Sequence, residues 1–265
     1  MPITTKDFEA LTRDVQSIFN ETSKSAVAES VGLKIYNVSD TNRRNHEYLV
    51  LHGLAGIKDV SEGQDLPKIT TKQGDTITWT QRRYGAIVAV TKDMRKFDLY
   101  NQIETLVKSV VDDGWQKIEQ DLADLLLYGW STSYTNVYGV STTAVGPDGL
   151  ALFSASHTTP VSASTFSNII TVSGTTNPTL SREAILAARQ VALTYKDPNG
   201  VIRPINLDTL LVSPALEDLA LRLVESEYLP GTANNDVNPL RGKLKVLVWP
   251  HLQTRSDGTD TSAYW

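Results

Sequence analysis

The chain contains no cysteine, which removes disulfides, thiolate chemistry and every cysteine-containing zinc site. Stability must then come from packing or from partners. A large charge imbalance is also missing: 25 Lys and Arg stand against 30 Asp and Glu, for a formal net charge of -5. Wrapping nucleic acid needs a concentrated basic surface, so that is not the main task of this chain, although a local basic patch is compatible with the count. The four histidines, His46, His52, His157 and His251, are scattered, with no H-E-x-x-H and no close ligand pair, and each reads as a surface or hydrogen-bonded side chain. "GLAG" and "YGVSTTAVGPDG" carry glycines but neither the spacing nor the lysine of a phosphate-binding loop or a dinucleotide fingerprint, so no metal or cofactor is expected. No apolar run approaches the length of a bilayer span. The N-terminus, "MPITTKDFEALTRDV", is acidic early and has no apolar stretch, so the expectation is a soluble chain made without an export signal of its own.

What is present is ample material for a core, 265 residues of which 40% are hydrophobic, enough for one large domain or two small ones. Phe8, Leu11, Val15, Ile18 and Phe19 recur at helical spacing after Thr4 and Thr5, predicting an amphipathic helix whose apolar face needs a partner. From Glu21 to Asn45 the polar composition predicts an extended arm or a loosely packed connection. Between Tyr48 and Asp98, alternation around Ile77, Trp79 and Gln81, followed by Ile87, Val88 and Val90, predicts a long β-hairpin with a polar tip punctuated by Gly63, Pro67 and Gly74. Such a hairpin exposes backbone edges that invite pairing with another chain.

From Tyr100 to Tyr128 a 3.6-residue rhythm through Ile103, Leu106, Val107, Val110, Val111, Ile118, Leu122 and Leu125 predicts a helix about 40 Å long. Gly129 to Pro178 is loop-rich with short strands. Ser181 caps a further helix ended by "KDPNG". Leu210 to Val212 is a buried strand entering another helix through Ser213 as its cap and Pro214 at its first position, and that helix runs to about Glu227. "KLKVLVWPHL" supplies a strand in which Leu244, Val246 and Val248 alternate with Lys245, Leu247 and Trp249, and Pro250 stops it. "TSAYW" reads as the opening of a further strand. The mixture gives an α+β or mixed α/β architecture, and the resemblance below implies α+β.

The stretch "DGLALFSASHTT" places Ser154, Ser156 and His157 close together, the side chains of a serine hydrolase. It lacks the G-x-S-x-G of a nucleophile elbow, and residues adjacent on an extended chain point to opposite sides, so His157 is poorly placed as a base. The competing reading is a structural loop turned by Asp148-Gly149 and anchored by Leu150, Leu152 and Phe153. Asp112, Asp113, Glu119, Asp121 and Asp124 lie on the long helix, with only Trp115 beside them as a substrate-stacking ring. A solvated face or salt bridges across a subunit boundary explain them better than glycosidase chemistry. Arg43, Arg44 and His46 at one end of the hairpin, Arg82 and Arg83 in its returning strand, and Lys92, Arg95 and Lys96 near its base are interleaved with Asp40, Glu47 and Asp93. That mixture suits a solvated face, intersubunit salt bridges or, least well, phosphate contact.

"DGLALFSASHT" (148–158), "LSREAILAARQVALTYKDPNG" (180–200), "LLVSPALEDLALRLVES" (210–226) and "NPLRGKLKVLVWPHL" (238–252) together resemble the major head subunit of Mu-like tailed bacteriophages, within the broader tailed-phage major capsid fold. The resemblance is carried by roughly 129–252; the first half matches by layout. It implies an N-terminal arm (1–45), an extended loop with peripheral-domain strands (46–98), a spine helix (99–128), an axial domain with peripheral elements (129–252) and the start of a C-terminal strand that breaks off (253–265). It further implies a non-enzymatic subunit without catalytic, cofactor or metal residues. Its copies form pentameric and hexameric capsomers of an icosahedral shell around double-stranded DNA, with scaffolding, portal and decoration proteins as partners, in the virion after assembly in the host cytoplasm. Some relatives of the broader fold cross-link a lysine to an asparagine, but no motif marks Lys58, Lys68 or Lys72 as reactive. An encapsulin-like compartment shares the fold and stays open, as does the hydrolase reading of Ser154 or Ser156 with His157.

Overall fold

The computed structural model describes residues 5–51, 59–65, 73–87, 89, 91, 93, 102–159, 162–197, 200–228 and 236–265. They belong to two units, each built from separate stretches of chain: Met1–Asn42 with Gln81–Ala123, and Arg43–Thr80 with Asp124–Trp265.

In the first unit, α1 (Thr5–Glu29) and the short α2 (Gly32–Ile35) precede the long α3 (Gln102–Leu127), whose last residues belong to the second unit. Neither glycine nor proline occurs between Pro2 and Gly32, so nothing in the backbone stops the N-terminal helix before Glu29. The extended or loosely packed stretch expected from Glu21 is therefore helical to Glu29 and again over Gly32–Ile35. Val15 and Ile18 are half-buried while Phe19 is 50% exposed; the side chains of Phe8 and Leu11 lie outside the described residues. On α3, Ile103, Val107 and Val111 are buried at the helical repeat, as the sequence rhythm requires.

The second unit begins with β1 (Asn45–Leu51) paired antiparallel to β2 (Gln73–Thr80), from Asn45↔Thr80 to Leu51↔Gln73 with an irregularity between Leu49 and Leu51. The expected β structure stops at Thr80: residues 81–87 are not strand, and Ile87 is 98% exposed. Val88, Val90, Pro67 and the lysines Lys58, Lys68 and Lys72 lie outside the described residues. Short antiparallel pairs follow: β3 (Ser133–Thr135) with β4 (Ser141–Thr143), β5 (His157–Thr159) with β6 (Ser162–Phe166), and β7 (Thr171–Val172) with β8 (Thr175–Thr176). The two-residue β7–β8 turn has positive φ at both Ser173 and Gly174, the backbone twist that a tight hairpin favours.

The main core lies in the C-terminal part of this unit. Helix α4 (Arg182–Leu193) starts at Ser181, whose hydroxyl accepts the Ala184 amide at 3.2 Å. Strand β9 (Thr209–Val212) passes through a 3₁₀ turn at Pro214–Leu216 into α5 (Glu217–Val224) and returns as β10 (Lys245–Val248), parallel to β9. Ile185, Leu210, Val212, Val224 and Leu240 form the buried cluster. The alternation expected in β10 breaks at its end, where Trp249 is fully buried and its amide donates to the Val212 carbonyl. Residues 261–265 contain turns and no strand; Thr261 is buried, and Trp265 packs on the core with its indole N–H donating to the Pro178 carbonyl at 3.0 Å.

Candidate functional site

The loop that raised the hydrolase question is turned by Gly146–Gly149, with Gly149 at φ +75° and its amide donating to the Gly146 carbonyl. His157, at the start of β5, is only 8% exposed. Its Nδ1 lies 2.7 Å from Asp148 Oδ2 and its Nε2 lies 3.2 Å from the Leu152 carbonyl. The Asp148 carboxylate also accepts the Leu150 amide at 3.2 Å and the Thr158 amide at 3.3 Å. Burial pushes the Asp148 carboxyl up, but hydrogen bonds from His157, Leu150 and Thr158 outweigh it and hold the group below its ordinary value.

This is the Asp-His pair of a catalytic triad, with a backbone carbonyl where the nucleophile would stand. A histidine base must offer Nε2 to the nucleophile, and here Nε2 is engaged by a backbone carbonyl. The Ser154 hydroxyl accepts the Ser156 amide at 3.2 Å, and no described hydrogen bond joins either serine to the ring. The Ser-His proximity of the sequence is therefore not a nucleophile-base pair. Of the expected anchors Leu150, Leu152 and Phe153, Leu150 is half-buried. Phe153 packs against Trp130 with ring centroids 5.1 Å apart, whereas Leu152 is 38% exposed. Gly129 makes room for Phe153: a Cβ there would stand 2.6 Å from the ring. Sequence reasoning noticed Asp148 as a turn former and missed it as the partner of His157, nine residues on; the signal was a buried-type histidine near an Asp-Gly turn.

The acidic residues of α3 divide by environment. Asp113 pairs with Lys117 at 2.9 Å on an exposed surface, as a solvated face would. Glu119 and Asp124 are buried instead. Glu119 accepts the Gly32 amide at 3.1 Å and the Ser30 hydroxyl, while Ser30 Oγ accepts the Leu33 amide. Asp124 accepts the Ser256 amide at 3.1 Å. They are internal ligands for backbone donors, not surface charges. Near Asp124, the Arg255 guanidinium donates to the Leu127 carbonyl at 2.7 Å and lies 4.7 Å over the Tyr128 ring. No group of His, Asp or Glu among the described residues could hold a metal ion, and no described helix is long and apolar enough to cross a membrane.

The surface that calls for a partner is the β1–β2 hairpin. It is a two-stranded sheet joined by no third described strand. His46↔Trp79 and Tyr48↔Ile77 share one of its faces, and Tyr48 (55%) and Trp79 (57%) are exposed there, stacked 6.4 Å apart. Arg43 and Arg44 precede β1, Arg82 and Arg83 follow β2, and all four are exposed. Lys92, Arg95 and Lys96 lie outside the described residues.

The described residues form an α+β fold with open strand edges, and solved structures share the fold. The chain is similar to the capsid of bacteriophage JBD30, with a TM-score of 0.60 and 15% identity over 86% of this chain and 92% of that one. It is similar to the JBD30 procapsid, with a TM-score of 0.58 and 16% identity over 94% of this chain and 100% of that one. A JBD30 capsid decorated with minor capsid protein trimers matches with a TM-score of 0.57 and 12% identity over 84% and 90% of the two chains. No curated protein matches by sequence. The class is therefore the α+β capsid fold related to tailed-phage capsids. The chain belongs to the phage capsid protein family, whose model matches residues 74–265. That family places its function in the phage capsid.

Proposed function

We propose that this chain is the major capsid subunit of a Mu-like tailed phage or prophage, self-assembling into pentameric and hexameric capsomers of an icosahedral head that encloses double-stranded DNA. The observation that carries this reading is the family match over 74–265. In it, residues 1–45 act as the arm, 46–98 as the extended loop with peripheral strands, 99–128 as the spine helix and 129–252 as the axial domain with peripheral elements. Every described sheet has two strands, so every described strand has an open edge. Open edges are a liability in a monomer and an asset in a lattice, where neighbouring copies cover them. The exposed arginines flanking the hairpin suit salt bridges to acidic helix surfaces of a neighbouring copy, such as Asp112 and Asp113. A scaffolding protein, a portal and decoration proteins complete the partners, the last in keeping with the decorated JBD30 capsid. Assembly takes place in the host cytoplasm.

The net charge of -5 predicts enclosure of DNA without tight binding to it. Particles isolated from producing cells should hold DNA that resists nuclease until the shell is broken. Particles filled with a cargo enzyme and no DNA would instead identify an encapsulin-like compartment.

A further inference from the structure

A cavity of about 480 Å³ opens between the end of α3, the residues leading into β7 and the turn at 261–265, all within the second unit. Leu126, Trp130, Phe153, Ile170, Tyr264 and Trp265 are among its walls. Its volume falls in the range of about 300–1,000 Å³ typical of small-molecule sites. It is too large to be packing slack, because protein interiors keep few voids bigger than a water molecule. The walls are fixed from within the chain. Trp265 is held by its indole bond to the Pro178 carbonyl, and the Phe153 amide donates to the Gly129 carbonyl at 2.8 Å. The Tyr264 amide donates to the Thr261 carbonyl at 2.9 Å, and the Thr261 hydroxyl donates to the Leu252 carbonyl at 2.7 Å.

The chemistry of the lining sets what it can hold. None of the residues that line the cavity is charged. The Asn168 amide on its wall is spent within the chain, donating from Nδ2 to the Leu152 carbonyl at 2.6 Å and accepting the Ser154 amide at 2.9 Å through Oδ1. Arg255, whose guanidinium lies 5.8 Å from the centre of the Tyr264 ring, is not among the lining residues and donates to the Leu127 carbonyl. A charged ligand would therefore lose hydration without gaining a counter-charge. A neutral flat ring exchanges water for apolar and aromatic surface. Trp130 and Tyr264 are exposed, which leaves the cavity open to solvent on their side.

We propose that this cavity is a binding site for one neutral, flat, largely apolar molecule of one or two fused rings, taken up between its aromatic walls. Because the walls stand in place beforehand, binding costs little ordering of the protein. Occupation ties the end of α3 to the C-terminal turn and stabilises the chain as ligand concentration rises above the dissociation constant. The inference goes beyond the capsid role and rests on contacts within one chain, so it stands or falls separately from shell assembly.

Equilibrium dialysis of the purified full chain against 2-naphthol tests it, with 2-naphthalenesulfonate as the same ring system carrying a fixed negative charge. The naphthol should bind saturably, one molecule per chain, and the sulfonate at least about tenfold more weakly. Trp130→Ala, which removes an exposed wall ring, should weaken naphthol binding severalfold. Ala263→Trp, which puts a bulky ring into the lining, should abolish it. The proposal is overturned by absence of saturable uptake up to about 1 mM naphthol, by equal affinity for the sulfonate, or by unchanged affinity in Trp130→Ala. If Ala263→Trp does not fold, the two ligands on the wild-type chain and the Trp130→Ala comparison decide.

Discussion

Glu119 illustrates how a single buried carboxylate can serve the junction between two helices. It takes the first amide of α2 and the Ser30 hydroxyl, and Ser30 in turn takes the Leu33 amide, so the donors exposed where α1 ends and α2 begins are satisfied from α3. Glu119→Ala leaves them without this acceptor and should cost about 2 kcal/mol in urea unfolding, more than Ser30→Ala; equal stability to wild type would show that water replaces the carboxylate. Asp148 carries a pH signature of its own. Its carboxyl is held below the ordinary value, so its contribution is present above the unfolded-state value and disappears as pH falls through the carboxylate range. The urea midpoint of wild type should drop between about pH 6 and about pH 3 by more than that of Asp148→Asn. At this scale little was legible beforehand. Sequence spacing cannot bring Ser30 to Glu119 or Asp124 to Ser256, because those meetings are made by tertiary folding.

Elements were far more legible, since periodicity and caps are local. The α3 rhythm and the Ser181 cap appear where the residues put them, whereas Pro214 opens a 3₁₀ turn ahead of α5 and Ser213, expected as its cap, donates its hydroxyl to the Ser262 carbonyl instead. The failures have physical causes. The arm after Glu21 is helical to Glu29 because polarity does not break a helix that contains neither glycine nor proline. Residues 81–87 lack strand although their sequence favours it, since strand propensity depends on a pairing neighbour. Helix α5 ends at Val224, short of Glu227. Two substitutions of opposite sign test this level. Gly114 sits within α3, and a Cβ there would meet nothing within 4 Å, so Gly114→Ala should stabilise the unassembled chain by about 1 kcal/mol. Ser181→Ala should destabilise it by about 1 kcal/mol through loss of the Ala184 bond. Denaturant midpoints shifting in the same direction would contradict the assignment of one of the two.

For the whole molecule, motif order and layout carried the capsid resemblance, and the family match over 74–265 supports it at that coarser level. The fold is shared with the JBD30 capsid chains at 12–16% identity, a level at which pattern and packing persist while individual contacts do not. The two-stranded sheets of the described residues and the exposed Tyr48–Trp79 stack are surfaces that the proposed shell would bury. The central claim is self-assembly, and sedimentation velocity with negative-stain microscopy of the purified protein tests it most directly. Closed shells, formed by the chain alone or with its scaffolding partner, are the predicted result; discrete monomers under all ionic and pH conditions, scaffolding partner included, would contradict it.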